Sequence, residues 1–362
     1  MPSTEDKSTR RTYLKRLSIT GGSAVSLAGC TELLAEDDRS RWKAQLGTDV
    51  RIFPTVHDDR VYVGSQAGGV HAFETDTGER ALSTGPRMDD EVRVTPAVTD
   101  DGVYVGSTGR SGILDLVHAF HLDGSENWSF SPTIGRLPIF SSPTVANDTV
   151  YIGSNDSFVY ALDAVDGTEE WAFETGDSVQ TSPAVDNGTV YVGSRDESLY
   201  ALNAADGTEE WAFETESSIV SDPTVVDGTI YVVNSDGVLS AVDTHGEELW
   251  SFETNGGTNS TPTVADGTVY VGSGDGNLYA VDASDGTEEW TFDTDGLVFS
   301  PSSADGIVYV GSADSSLYAV DAADGSERWS YQTDDEVGST PTISDELVVV
   351  GSFDGTLHAL ER

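Results

Sequence analysis

Short apolar runs, each cut off by Gly, Asp, Asn or Pro, follow one another in a fixed order from about residue 41 to the C-terminus. One clear copy begins Ser182-Pro183-Ala184-Val185 and continues through Val190-Tyr191-Val192-Gly193-Ser194 and Leu199-Tyr200-Ala201-Leu202. It closes on Asp206-Gly207-Thr208-Glu209-Glu210-Trp211. The opening proline recurs at Pro54, Pro96, Pro143, Pro183, Pro223, Pro262, Pro301 and Pro341, at spacings of 42, 47, 40, 40, 39, 39 and 40 residues. Four strand-like runs per forty-residue period, here lettered A to D, predict an all-β, eight-bladed β-propeller of four-stranded antiparallel blades.

Each boundary in the repeat has a local reason. Asp166-Gly167, Asp206-Gly207 and Asp285-Gly286 are hairpin turns, because Gly accepts positive φ and Asp bonds its own backbone. Proline is tolerated at the start of strand A, where a ladder donor is dispensable. The Trp that opens strand D offers a large apolar plate to a neighbouring blade. The last repeat stops after Leu357-His358-Ala359-Leu360, while an orphan run, Trp42-Lys43-Ala44-Gln45-Leu46, precedes the first. Pairing these two runs closes the ring and removes its open edges, so residues 41–362 are expected to form one unit.

The front of the chain reads as an address. Thr9-Arg10-Arg11-Thr12-Tyr13-Leu14-Lys15 has the form of a twin-arginine export signal, with Arg10 and Arg11 as the pair. The apolar run from Leu17 to Gly29 is too short to span a bilayer. It ends in Leu27-Ala28-Gly29-Cys30, a lipobox-like sequence containing the chain's one cysteine. The expected organisation is a signal peptide over 1–29, a lipidated Cys30 with an acidic linker over 30–40, and the propeller over 41–362. The protein would then be exported and held by lipid on the outer face of the cell membrane.

Charge changes the picture of its surroundings. The chain has 63 acidic and 18 basic residues; residues 1–29 hold two and five of these, leaving 61 and 13. Lys43 is the one lysine beyond the signal. Such a surface repels itself in dilute buffer, but molar salt shortens the Debye length to about 3 Å and quenches the repulsion. Abundant Asp with almost no Lys resembles the proteins of extreme halophiles. Nucleic acid is a poor partner for this charge.

Ala161-Leu162-Asp163-Ala164-Val165-Asp166-Gly167-Thr168-Glu169-Glu170-Trp171 resembles the tryptophan-docking motif of pyrroloquinoline-quinone (PQQ) repeat propellers. It recurs at 201–211, 280–290 and 319–329, and in degenerate form at 72–82, where Leu82 replaces the Trp. The resemblance covers residues 41–362. That superfamily includes quinoprotein alcohol and glucose dehydrogenases, and also a propeller lipoprotein of the bacterial outer-membrane assembly machine. The dehydrogenases carry long insertions, an adjacent-cysteine disulfide, calcium and a catalytic aspartate; none of these can be placed on this sequence. The resemblance therefore implies a binding or scaffold module without catalysis or cofactor. The alternative is a PQQ-dependent oxidoreductase with PQQ and calcium in the channel mouth.

Candidate contact residues lie where the repeats depart from their pattern. The clearest insertions are the B–C turn from Thr108 to Leu116 and the D–A link from Ser131 to Phe140, which share one face in an antiparallel blade. Three residues before each strand-A proline stand Arg51, Arg93, Phe140, Gln180, Val220, Asn259, Val298 and Gly338. Arg87, Arg110, Arg136 and Arg195 occupy the D–A or B–C segments of blades 1 to 4. Arg51, Arg93, Arg110, Arg136 and Arg195, with Gln180 and Asn259, are the candidate lining of a site for an anion or an acidic partner. Pairing of these arginines with neighbouring carboxylates is the competing expectation. His71, His118 and His358 occupy equivalent strand-C positions, usually Tyr, and read as packing variants rather than as shared metal ligands.

Overall fold

The structure is a computed structural model that describes residues 39–47, 54–65, 69–84, 90–109, 117–132 and 137–362. Eight four-stranded antiparallel sheets are arranged as the repeat predicts. In blade 4, for example, strands A to D are Ala184–Asp186, Thr189–Gly193, Ser198–Asn203 and Glu209–Glu214. The innermost strands neighbour one another in sequence, and strand A of blade 8 neighbours strand A of blade 1, so the ring is closed.

Blade 8 is built from both ends of the described chain. Ser40–Gln45 pairs antiparallel with Thr356–Glu361, placing Trp42 opposite Ala359. Its indole Nε1 then donates to the Thr75 carbonyl of blade 1 at 2.6 Å, completing the circle.

The same contact joins most of the other blades. Trp171 of blade 3 donates from Nε1 to the Ala204 carbonyl of blade 4 at 2.9 Å, and its ring lies 5.8 Å from that of Tyr151. Trp128, Trp211, Trp250 and Trp290 dock likewise on Ala164, Thr244, Ala283 and Ala322. The seat beneath each ring is a turn glycine. A Cβ on Gly207, whose φ is +70°, would lie 2.6 Å from the Trp171 ring, so only Gly lets the indole close down. Blade 8 has no C–D turn to offer Trp329 of blade 7, and the Arg39 guanidinium covers that ring instead at 4.8 Å.

Between blades the apolar faces of strands B and C interlock. Tyr151, Val159, Ala161 and Trp171 of blade 3 pack with Val190, Val192 and Leu202 of blade 4, all buried. In place of a shared centre, each pair of neighbours makes its own core.

The D–A links and B–C turns share a face, as the strand order requires. The Thr that ends the W-x-F-E-T run latches them: Thr175, Thr215 and Thr254 donate to the Ser157, Glu197 and Gly237 carbonyls at 2.9–3.0 Å. In blade 2 the two segments also pair as strands, Asp90 with Gly109 and Glu91 with Thr108.

The dock can be weighed with two alanines. Gly188 also has positive φ, +83°, but nothing lies within 4 Å of where its Cβ would be. Gly188→Ala should cost about 1–2 kcal/mol for backbone strain alone. Gly207→Ala should cost about 2–5 kcal/mol, because overpacking against the indole adds to that strain. Equal denaturation midpoints for the two variants would show that the indole seat contributes little.

Candidate functional site

The channel wall is made by the residues around each strand-A proline. The residue after the proline donates its hydroxyl to the next blade's proline carbonyl: Thr55 to Pro96, Thr144 to Pro183, Thr224 to Pro262, Thr263 to Pro301 and Ser302 to Pro341, at 2.6–2.7 Å. Thr342 closes the series onto Pro54. Ala97 and Ala184 have no hydroxyl to give, so the series is interrupted after blades 2 and 4.

A second series runs through the residue before the proline. The backbone N–H of Thr95 donates to Ser142 Oγ at 2.9 Å, Ser142 to Ser182 Oγ at 3.1 Å, and Thr261 to Ser300 Oγ at 2.9 Å. Blade 5 carries a carboxylate at this position instead of a hydroxyl. Asp222 Oδ1 accepts the Ser182 N–H at 2.6 Å, and the Asp222 N–H donates to Thr261 Oγ1 at 3.3 Å. Among the described residues, Asp222 is the only charged group lining a channel cavity of about 450 Å³, which Thr95, Thr261, Ser300 and Thr340 also line. Burial pushes its carboxyl up to about 6, against the opposing pull of the hydrogen bonds from Ser182.

Above this cavity, at the D–A face, lies a mouth cavity of about 290 Å³ lined by Asn259, Leu297, Phe299, Gly338 and Phe353, among others. Ser300 lines both cavities. Phe299 and Phe353 meet edge to face, with centroids 6.5 Å apart and planes at 61°. Gly338 makes room for them, since a Cβ there would lie 2.5 Å from the Phe353 ring.

Phe299 is a departure from the repeat. Two residues before the proline, Ser141, Thr181, Ser221, Ser260 and Ser339 accept a strand-B N–H of their own blade at 2.6–3.0 Å. Blade 7 gives up that hydroxyl for an aromatic ring. Phe353 likewise stands in a B–C turn where blades 3 to 7 have Asn155, Arg195, Ser235, Gly274 and Ala313.

The residues expected from sequence fall differently. Arg51, Arg87, Arg110 and Arg136 lie outside the described residues, as do Cys30, Arg10 and Arg11. Arg93 is exposed but engaged: its Nε and Nη2 hold Glu91 Oε2 at 2.7 and 2.5 Å, the carboxylate pairing that was the competing expectation. Arg195 is exposed on its B–C turn, and Gln180 Nε2 donates to Asn155 Oδ1 at 3.1 Å. Asn259 lines a cavity, together with Val298 and Gly338 of the same repeat position in blades 7 and 8. Asp222, Phe299 and Phe353 were missed. Their signal was available as one carboxylate where six blades carry Ser or Thr, one aromatic where five blades carry a hydroxyl, and one aromatic on a turn where the other blades carry small or polar groups.

The three strand-C histidines are held by separate partners: His71 and His118 within their blades, and His358 also by the Tyr331 hydroxyl of blade 7 at 3.4 Å. His71 Nδ1 lies 3.1 Å from Ser83 Oγ, and burial lowers its pKa to about 4. His118 meets Ser107 and Glu126. His358 faces Asp354 at 3.6 Å, the aspartate that Tyr hydroxyls reach in other blades, as Tyr318 does Asp314 at 2.7 Å. On the opposite face, His57 Nε2 sits 3.2 Å from Asp100 across blades 1 and 2, with the carboxylate exposed. A larger depression of about 690 Å³ there is the groove where Trp290 docks; its Arg328 is bonded to Asp321 at 2.8 Å.

PQQ is a planar tricarboxylate, and holding it takes a flat slot with cations around it. The two mouth rings are steeply inclined, the mouth lining is neutral, and the cavity beneath carries the charge of Asp222. The described residues of these cavities do not fit that cofactor.

A family model described as outer membrane protein assembly factor BamB matches residues 20–157, 93–182, 155–290 and 293–362. No curated protein matches the chain in sequence. Among solved structures, BamB from Moraxella catarrhalis superposes with a TM-score of 0.76 at 20% identity, covering 89% of this chain and 99% of that one. The computationally designed Ika8 protein gives 0.76 at 19% identity, covering 89% and 98%. Quinohemoprotein alcohol dehydrogenase from Comamonas testosteroni gives 0.73 at 17% identity, covering 89% and 76%. At such identities these structures share the fold.

Asp222 yields a stability test. A carboxyl whose folded pKa lies above its unfolded value binds its proton more tightly when folded, so stability falls as pH rises from about 4 through about 6. Asp222→Asn should therefore raise Tm at about pH 8, and the gain should vanish toward pH 4. A gain that is independent of pH would remove the carboxylate from the explanation.

Proposed function

The chain belongs to the BamB family of PQQ-repeat propellers, and from that premise we propose that it is a lipid-anchored, extracytoplasmic docking module that binds a partner protein rather than a catalyst. One observation carries the reading. Leu137, Phe140, Val165, Leu249 and Leu297 are the large apolar side chains exposed among the described residues, and Leu137, Phe140 and Leu297 all lie on D–A links. On a chain of net charge −45, three of these five on one loop-bearing face, at the links into blades 3 and 7, favour that face as a contact surface. The mouth cavity opens on the same face.

Anchoring and export rest on the lipobox-like Cys30 and the Arg10-Arg11 pair, and the high-salt setting rests on the scarcity of lysine. Arg195, exposed on a B–C turn, adds a cation to the proposed face.

A photo-reactive phenylalanine analogue tests the face directly. Placed at Leu137 or Phe140 in the native membrane, it should give a discrete cross-linked protein, whereas placed at Val165 on the opposite side it should give none. Equal yields from both sides would defeat the assignment. Cys30→Ser should move the protein from the membrane to the soluble fraction, and persistence in the membrane would defeat the lipid anchor. Added PQQ with calcium should not quench the tryptophans saturably; stoichiometric quenching would restore the oxidoreductase reading.

A further inference from the structure

We infer that the channel mouth receives an arginine of the partner protein, its apolar stem lying on Phe299 and Phe353 and its guanidinium reaching down to Asp222. The inference rests on the reading of this face as a docking surface, and it names the group that the face takes.

The two cavities supply the two halves of such a side chain. Arginine buries an apolar stem while its head seeks charge, and its planar guanidinium both lies over aromatic faces and forks onto carboxylates. The mouth offers two phenyl rings and Leu297 around a neutral rim, and the cavity below it, which shares Ser300 with the mouth, offers one carboxylate among its described residues. Asp222 Oδ1 holds the Ser182 N–H, an arrangement that orients the carboxylate. An acidic side chain would meet that carboxylate and the chain's net charge of −45 as repulsion, while an aliphatic one would bring Asp222 no counter-charge. A basic group gains from both. Because the carboxylate sits within the channel, the pairing is screened less by salt than one between exposed side chains.

Two of the three residues also depart from the repeat's interactions: Phe299 gives one up, and Asp222 keeps its own while adding a charge. Blade 7 loses a hydroxyl latch at Phe299. Blade 5 puts a carboxylate, held by burial well above its ordinary titration range, where the neighbouring blades use Ser or Thr. Such departures reduce stability and are expected where they serve binding.

The probe is N-acetylarginine amide, titrated into the folded protein in molar salt and followed by NMR, with N-acetylcitrulline amide as its neutral isostere. The arginine derivative should bind saturably and the citrulline derivative at least about tenfold more weakly, as expected for a lost charge-assisted bond. Asp222→Asn and Phe299→Ser should each weaken binding by a similar factor. Phe299→Ser restores the side chain that other blades carry, so an unchanged Tm separates lost binding from lost folding. Affinity should also decline as pH falls through about 6, where Asp222 takes up its proton. Absence of saturable binding, equal binding of citrulline, or full affinity in either variant overturns the inference. If cross-links from Leu137 and Phe140 persist in that case, only the arginine anchor falls; if they too are absent, the docking surface falls with it.

Discussion

Everything in this molecule depends on one indole resting on the glycine turn of the next blade. A four-stranded sheet of this size has two apolar faces and cannot cover either by itself, so a blade is stable only as a neighbour of other blades. The tryptophan dock couples burial of a large ring to one defined hydrogen bond, such as Trp171 to Ala204, and thereby sets the distance and tilt between blades. Repeated around the circle it leaves no freedom in how the ring closes. The Trp42 dock onto blade 1 shows that closure uses the same contact as most other joints, even though its strand comes from the opposite end of the chain.

This constraint also explains what could be read without coordinates. The proline phase, the Asp-Gly turns and the spacing of tryptophans each report a backbone need, and backbone needs repeat. Binding residues do not repeat, and are visible only as deviations at a chosen position. Reading three residues before the proline found Asn259 in a cavity, but Asp222 stands one residue before it and Phe299 two. The pairing of Arg93 was legible in principle, because Glu91 is two residues away and side chains two apart in extended backbone share a side. No rule of spacing brings Phe353, on a B–C turn of blade 8, to Phe299, on a link before blade 7; that meeting is a product of ring geometry.

The channel wall separates structural from binding demands within a few residues of chain. The residue after the proline, in six of the eight blades, stitches neighbours together through a hydroxyl-to-carbonyl bond, and the residues before it face the bore or its mouth. A propeller can therefore change what its mouth presents, residue by residue, without disturbing the joints below. Asp222 shows the coupling that remains, since its carboxylate both accepts the Ser182 N–H and charges the cavity.

The split eighth blade has a directional consequence. Strand D of every blade starts at the face of the C–D turns and runs toward the face of the D–A links, so Arg39 enters the ring on the side away from the mouth. A tether leading back from Arg39 to a lipid on Cys30, as proposed, would be at most about 30 Å long when fully extended. Attachment at Arg39 would leave the rim of the mouth clear of the entering chain.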